Sequence, residues 1–206
     1  MLYSIFHALS KFVFKVFFNL KKIGLENIPK HGGFIITPNH KSYLDTLIVG
    51  SALPMKISAI AKKELFERKF QSWFYRNLGG FPIDRKVTGL ESIKKAIEVV
   101  RNGNPLLIFP EGTRYEGEGI GKGKKGSAFI SVLGKVPILP AGIAGTDRAL
   151  PKQAKFPKPV HIVIVFGKPF KPWKIFNPDD KEFLDKVTEY LMKEIEKCQK
   201  EAEEKL

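Results

Sequence analysis

The stretch NHKSYLD, residues 39–45, contains a histidine and an aspartate that could act together in proton transfer. His40 lies five positions before Asp45 and directly follows an apolar run. Inside one regular helix the two side chains would point roughly 140° apart, so they could not pair. If the helix begins only near Ser42, His40 lies in the turn before it and its ring can fold back to the carboxylate. Asp45 would then keep one ring nitrogen protonated, which leaves the other free to accept a proton.

This stretch alone does not decide whether the pair is catalytic. A histidine followed by an aspartate is common by chance, and a solvated helix start is the simpler interpretation. A catalytic pair without a nucleophilic side chain would take its nucleophile from the substrate, and a substrate hydroxyl would suit. A metal site is less expected, because His7, His31 and His161 show no ligand spacing.

Two further stretches end a hydrophobic segment with a turn and an arginine. GGFPIDR ends at Arg85 and FPEGTR ends at Arg114. Guanidinium groups bind phosphate oxygens bidentately, so the two arginines predict a phosphorylated ligand. Gly112 would let the backbone approach that ligand closely, and Glu111 could hold an arginine or accept a hydrogen bond from a substrate hydroxyl. Each arginine alone could equally form a surface salt bridge.

Extended apolar segments alternate with helical patterns along the chain, which predicts the α/β class. The predicted strands are 34–37, 57–61, 81–83, 106–109, 138–144 and 160–166. The predicted helices between them are 43–53, 68–77, 89–101 and 127–133. In open α/β sheets, ligands bind outside the carboxyl ends of the strands. The three motif stretches follow or end such strands, so we expect them to converge on one pocket.

Two helix starts can be read from capping signals. Thr88 and Glu91 form a capping box, in which each side chain bonds the backbone N–H of the other. Asn177 is a suitable N-cap with Pro178 at the first helical position, before a run rich in Lys and Glu. The sequence thus predicts an amphipathic helix over 177–206, packed on the domain. The single cysteine, Cys198, excludes an internal disulfide and fits a reducing compartment.

The N-terminal segment, residues 1–22, predicts an amphipathic helix that lies in a membrane interface. Lysines interrupt its apolar run, so it does not have the pattern of a secretory signal. At helical spacing the polar residues form one stripe, namely Ser4, His7, Lys11, Lys15, Asn19 and Lys22. The wide, Phe-rich arc beside them is typical of a helix between acyl chains and anionic headgroups. The alternative is a terminal helix packed on the domain's own core.

The net charge of +14 predicts a polyanionic partner. Nucleic acid, an anionic bilayer and an acidic carrier protein all fit the charge. Nucleic acid is not expected, because no recognised nucleic-acid motif surrounds the basic residues. The loop GKGKKG is not expected to bind a dinucleotide, because it follows no strand and lacks the later acidic residue. Its lysines, Lys122, Lys124 and Lys125, are expected to attract a lipid phosphate or an acidic carrier protein, with solubility as the alternative.

Four stretches, NHKSYLD, GGFPIDR, FPEGTR and VPILPAGI, in this order and at these separations resemble the four blocks of the glycerolipid acyltransferase family. They are most similar to the 1-acylglycerol-3-phosphate acyltransferases, which form phosphatidic acid. The resemblance covers about residues 22–170, and the combination of blocks is specific although each block alone is not. It implies a domain over 23–176 with a mixed central sheet flanked by helices, preceded by the membrane-associating helix.

The resemblance also implies roles for individual residues. His40 matches the general base of the family and Asp45 matches its partner. The residues that match the second and third blocks, both linked to glycerol-phosphate binding, are Gly80, Arg85, Glu111, Gly112, Thr113 and Arg114. Pro137 and Pro140 match the fourth block, which is associated with the acyl-donor side or with shaping the site.

The reaction implied by the resemblance is acyl transfer from an acyl-carrier protein or coenzyme A thioester to the sn-2 hydroxyl of lysophosphatidic acid. No cofactor is expected besides that co-substrate. The expected location is the cytoplasmic face of the cytoplasmic membrane, as a peripheral or monotopic protein, and the oligomeric state stays open. The alternatives are another acceptor, either glycerol 3-phosphate or a lyso-aminolipid, and a non-enzymatic basic protein that binds membranes.

Overall fold

Seven strands form one sheet in the computed structural model, which describes residues 2–62, 66–69, 72–73, 79–83 and 90–206. In chain order the strands are β1 Lys21–Ile23, β2 Ile35–Pro38, β3 Ser58–Lys62, β4 Gly80–Ile83, β5 Leu106–Leu107, β6 Ile138–Ala144 and β7 Val163–Phe166. Their order in space is β1-β7-β6-β2-β5-β3-β4. The β6–β7 pair is antiparallel and every other pair is parallel, which confirms the predicted mixed sheet.

Helices lie between most of the strands, as the alternating pattern predicts. They are α1 Leu2–Phe17, α2 Leu44–Ala52, α3 Leu90–Arg101, α4 Gly126–Gly134, α5 Thr146–Ala149, α6 Pro172–Ile175 and α7 Phe183–Glu204, with a 3-10 turn at Leu25–Asn27. Four features were not predicted: the strand β1, the 3-10 turn and the short helices α5 and α6. The predicted helix 68–77 and the Thr88 cap fall wholly or partly on residues outside the described ranges.

Alternate residues of each strand supply two hydrophobic layers, one on each face of the sheet. In β2, Ile36 packs in the layer that holds α1 and α2, whereas its neighbour Ile35 packs in the layer with α3 and α4. Both side chains are fully buried. The sheet is therefore covered on both faces, which fits the near-continuous apolar composition of its central strands.

The last helix, α7, packs directly on β6 and β7, but it begins later than predicted. It starts at Phe183, whereas the sequence predicts Pro178 as its first residue. The Asn177 side chain instead accepts a hydrogen bond from the backbone of Asp179 at 3.1 Å, which forms a local turn. The helix α7 approaches β6 so closely that only glycine fits at position 142. A Cβ on Gly142 would lie 2.1 Å from the backbone nitrogen of Gln199.

Cys198 is buried on the sheet-facing side of α7, beside Gly167. Burial, with smaller contributions from the nearby Glu194 and Glu201, raises the pKa of its thiol to about 12. A thiol with that pKa is a poor nucleophile at neutral pH, so Cys198 is a packing residue.

The helix α1 turns a narrow face toward α2 and leaves a broad apolar face exposed. Phe14 and Phe18 are buried in the core, and the ring nitrogen Nε2 of His7 lies 2.9 Å from the carbonyl oxygen of Leu53. The exposed residues on the opposite side are Leu9, Phe12, Val13, Val16 and Phe17. Every helix in the described part of the chain is too short or too polar to cross a bilayer.

Candidate active site

Asn39 fixes the point at which the chain leaves β2. Its side-chain amide is buried and pairs with both backbone groups of Ile143: Nδ2 donates to the carbonyl at 3.0 Å, and Oδ1 accepts from the N–H at 2.7 Å. The amide thus continues the β2–β6 ladder beyond Pro38, which has no N–H of its own. The next residue, His40, is consequently delivered to the carboxyl edge of the sheet.

One carboxylate oxygen accepts three hydrogen bonds from the turn that follows Asn39. Asp45 Oδ2 accepts hydrogen bonds from His40 Nδ1 at 2.9 Å and from the backbone N–H groups of Lys41 and Ser42, each at 2.8 Å. Asp45 is fully buried in the first turn of α2, where the helix dipole favours a negative charge. The helix begins at Leu44, so His40 lies in the preceding turn, in the geometry the sequence requires for pairing.

These contacts determine which nitrogen of neutral His40 carries the proton. An ionised carboxylate only accepts, so the Nδ1 that faces Asp45 must be the protonated nitrogen. The ring stacks on Phe109 with centroids 3.8 Å apart, and 15% of the side chain is exposed. The other nitrogen, Nε2, has no hydrogen-bond partner among the described residues and is not buried. His40 can therefore accept a proton at Nε2 from a bound molecule.

Glu111 ties the His40 turn to the loop that precedes α4. Its Oε1 accepts from the backbone N–H of His40 at 2.8 Å, and its Oε2 accepts from the backbone N–H of Gly121 at 3.0 Å. The sequence predicts instead that Glu111 holds an arginine or receives a substrate hydroxyl. A carboxylate whose two oxygens bind backbone amides is placed to shape the site, and the contact with Gly121 is too distant in sequence to be read from a motif.

Burial disfavours the charged form of the Glu111 carboxyl group. Burial raises its pKa above the usual glutamate range, although the hydrogen bonds from His40 and Gly121 and the charges nearby act in the opposite direction. Only 5% of the residue is exposed. A buried carboxylate whose charge is paired by amides rather than by a cation is typical of a functional site.

Arg114 lies beside the His40 turn, as the third block predicts. Its guanidinium carbon is 3.7 Å from the centroid of the Tyr43 ring, and the N–H of the next residue, Tyr115, donates to the His40 carbonyl at 2.8 Å. Arg114 Nη1 is buried without a hydrogen-bond partner among the described residues. A buried, unsatisfied cationic donor is costly, so this nitrogen is suited to an anionic ligand.

The two residues before Arg114 build the tight turn that presents it. Gly112 has a φ of +74°, which glycine adopts readily, and its N–H donates to the carbonyl of Phe109 at 3.0 Å. A Cβ there would also lie 2.8 Å from Lys124 Nζ. Thr113 is exposed at the outside of this turn.

The three lysines of the GKGKKG loop are exposed, but they face different parts of the molecule. Lys124 reaches back over Gly112, close to the Arg114 turn. Lys125 forms an ion pair with Asp185 at 2.7 Å, which ties it to the start of α7 rather than to the His40 turn. Lys122 precedes both in the sequence, and its side chain is exposed.

Comparison with known proteins agrees with this geometry. The sequence profile described as Acyltransferase matches residues 19–144, which include β2, the His40 turn and the Arg114 turn. This chain belongs to the acyltransferase family. The resemblance predicted from the four sequence blocks is thereby confirmed.

Three relatives illustrate the similarity. The chain is 34% identical over 190 residues to a Bacillus subtilis protein named 1-acyl-sn-glycerol-3-phosphate acyltransferase, which covers 91% of this chain and 89% of that protein. It is 31% identical over 180 residues to the Saccharomyces cerevisiae protein of the same name, but spans only 59% of that protein. The crystal structure of the 1-acyl-sn-glycerophosphate (LPA) acyltransferase PlsC from Thermotoga maritima superposes with a TM-score of 0.77 at 28% identity, covering 98% of this chain and 79% of the other.

The second acyltransferase block lies at the far side of the sheet from β6. Gly80 is the first residue of β4 and pairs with Ala59, about 10 Å from the carboxyl end of the strand at Ile83. It is therefore not beside His40. The neighbouring Gly79, rather than Gly80, is the position that requires glycine. Its φ is +90°, and a Cβ there would lie 2.0 Å from the carbonyl oxygen of Ile57. Arg85 lies outside the described residues, so its predicted role stays a prediction.

The prolines of the fourth block lie in β6 or directly before it. Pro137 lies just before the amino end of the strand, and its carbonyl accepts from the N–H of Ile35 at 3.0 Å. Pro140 is buried in the middle of β6, opposite Thr37. No cluster of three or more His, Cys, Asp or Glu side chains suited to a metal ion occurs in the described ranges.

Replacing Glu111 by Gln should change how stability depends on pH. Because the folded-state pKa of Glu111 is raised, its contribution to the free energy of unfolding is greatest below the ordinary value of about 4.5 and is lost as the pH rises through the raised value. We expect the free energy of unfolding of the wild type minus that of Glu111→Gln to decrease from about pH 4 to about pH 7 in urea titrations. Glu118→Gln, at an exposed position nearby, controls for the loss of one charge. A difference that increased with pH would contradict this account.

Proposed function

We propose that this chain transfers an acyl group from an acyl thioester to the sn-2 hydroxyl of 1-acylglycerol 3-phosphate, which forms phosphatidic acid. The observation that carries the proposal is the imidazole of His40, fixed by Asp45 with Nε2 free, beside the unsatisfied guanidinium of Arg114. A proton acceptor next to a phosphate-binding cation fits an acceptor that carries both a hydroxyl and a phosphate. The names of the Bacillus subtilis and Saccharomyces cerevisiae relatives support the same acceptor.

In the proposed step, His40 Nε2 takes the proton of the acceptor hydroxyl while that oxygen attacks the thioester carbonyl. A carbon–oxygen bond forms, the carbon–sulfur bond breaks, and the thiolate leaves with the proton returned from the imidazolium. Asp45 stabilises the imidazolium through the Nδ1 contact at 2.9 Å. General-base catalysis of this kind contributes about 10²- to 10⁴-fold in rate.

Arg114 would bind the phosphate of the acceptor, with Gly112, Thr113 and Lys124 around the same turn. Holding the two substrates in line lowers the entropic part of the barrier, so this binding contributes to rate as well as to affinity. We assign Arg85 to the same phosphate on the strength of the family resemblance.

The oxyanion of the tetrahedral intermediate needs hydrogen-bond donors, and three N–H groups of the His40 turn are already bonded. The N–H of His40 is bonded to Glu111, and those of Lys41 and Ser42 are bonded to Asp45. These three amides are therefore not available to the thioester carbonyl. The acyl donor of the proposed reaction is a thioester of an acyl-carrier protein or of coenzyme A. Assays with each thioester distinguish the two.

We further propose that the exposed apolar face of α1 binds the membrane interface, as expected for an enzyme that takes a lipid acceptor. The face consists of Leu9, Phe12, Val13, Val16 and Phe17, of which Phe12 and Val16 are 65% and 67% exposed. Lys11 and Lys15 flank this face and are placed to approach anionic headgroups. The protein would then be peripheral to the bilayer.

His40→Ala is expected to reduce kcat at least about 100-fold, because the hydroxyl loses its proton acceptor. The assay incubates 1-acylglycerol 3-phosphate with each acyl thioester and measures both the free thiol and the phosphatidic acid formed. His31→Ala, at an exposed histidine remote from the site, is the matched control and should keep wild-type turnover. Wild-type turnover by a folded His40→Ala protein would refute the proposed function.

The double substitution Phe12→Ser with Val16→Ser is expected to weaken binding to phosphatidylglycerol vesicles by about tenfold or more, since two apolar side chains no longer enter the interface. Vesicle sedimentation measures the effect. Leu133→Ser with Ile175→Ser removes two exposed apolar side chains from the opposite side of the sheet and should leave binding unchanged. Equal loss of binding by both double variants would contradict an interface on α1.

A further inference from the structure

We propose that Tyr43 is a positioning residue that holds the guanidinium of Arg114 ready for the phosphate of the acceptor. This inference rests on the proposed function, because it assigns the means by which the same site recognises a phosphorylated lipid. The sequence alone assigns no role to Tyr43.

The contact between the two side chains is close and lies at the mouth of the site. The guanidinium carbon of Arg114 is 3.7 Å from the centroid of the Tyr43 ring, within the range for a cation–π interaction. The Tyr43 residue is 65% exposed, so its ring is not part of the hydrophobic core. An exposed aromatic ring gains little from burial, and here its contact is with a charged group.

Neither Glu111 nor Asp45, the two buried carboxylates that the structure describes beside the His40 turn, holds Arg114. Both oxygens of Glu111 accept from backbone amides, and Asp45 Oδ2 is occupied by three donors. Asp45 Oδ1 and Arg114 Nη1 are each buried without a hydrogen-bond partner among the described residues, so they do not bond to one another. In the described part of the chain, the Tyr43 ring is therefore the group that orients this guanidinium.

An aromatic ring orients a guanidinium without neutralising it. A carboxylate partner would occupy two of the five N–H donors and cancel the charge that a phosphate requires. The Tyr43 ring instead lies against the guanidinium carbon and, being uncharged, leaves the N–H groups able to bind oxygen. Arg114 thus keeps its full charge for the ligand.

The position of Tyr43 couples this orientation to the catalytic turn. Tyr43 directly precedes the first residue of α2, and it lies three positions after His40 in the turn that Asp45 gathers. On the other side, Tyr115 bonds the His40 carbonyl next to Arg114. The Tyr43 contact and the Tyr115 hydrogen bond therefore both fix the position of Arg114 relative to His40.

The test compares Tyr43→Leu with Tyr43→Phe in the full-length protein. Tyr43→Leu is expected to raise KM for 1-acylglycerol 3-phosphate about threefold to tenfold with kcat changed less than about twofold, because the guanidinium is no longer held. Tyr43→Phe keeps the ring and should remain close to wild type. Leu47→Ala, one turn along α2 and also exposed, is the matched control and should not change KM.

A second acceptor distinguishes a loss of Arg114 positioning from a general loss of activity. Turnover of 1-acylglycerol, which lacks the phosphate, should be the same in the wild type and Tyr43→Leu. In an Arg114→Ala background, Tyr43→Leu should have no additional effect on KM. An unchanged KM for the phosphorylated acceptor in Tyr43→Leu, or an equal loss with both acceptors, would overturn the inference.

Direct binding distinguishes this inference from the proposed function. Calorimetric titration of 1-acylglycerol 3-phosphate measures the dissociation constant without turnover, and we expect it to increase about threefold to tenfold in Tyr43→Leu. If the wild type binds this lipid but transfers no acyl group, the proposed reaction fails while the positioning role still stands or falls on that increase. If Tyr43→Leu binds as tightly as the wild type, the positioning role is overturned whatever the turnover.

Discussion

The structure of the site depends on one oxygen atom, Oδ2 of Asp45. It binds two consecutive backbone N–H groups and the Nδ1 of His40, so a single buried acceptor sets both the shape of the turn and the protonated nitrogen of the ring. A local turn alone would leave the histidine free to rotate. The burial of Asp45 at the start of α2, where N–H groups converge, makes this arrangement possible.

Both buried carboxylates of the site, Asp45 and Glu111, accept hydrogen bonds from backbone N–H groups, and neither is bonded to Arg114 or Lys124 among the described residues. The consequence is electrostatic. Arg114 keeps its charge, stacked on an uncharged ring, and Lys124 lies against the same turn. Because Asp45 and Glu111 bind backbone amides, they do not neutralise Arg114 and Lys124. The positive charge of these two side chains attracts an anionic ligand, which agrees with the phosphorylated acceptor of the proposed reaction.

The sequence predicted those parts of the fold and site that depend on local pattern. The strand–helix alternation, the His40 turn and its pairing with Asp45 follow from hydrophobic period and from spacing within a few residues. Features that depend on distant partners were not predicted. The strand β1 is defined by pairing with β7, and the role of Glu111 by Gly121 and the backbone of His40. The start of α7 was placed too early, because the Asn177-Pro178 signal forms a turn instead of a cap.

The tautomer of His40 is the most direct test of the role assigned to Asp45. Nitrogen-15 NMR of the imidazole, recorded at a pH at which the ring is neutral, reports which nitrogen carries the proton. The account predicts protonated Nδ1 and unprotonated Nε2 in the wild type, with this preference reduced in Asp45→Asn. A wild-type ring protonated mainly at Nε2 would contradict the account, because His40 could then not accept the proton of an acceptor hydroxyl at that atom.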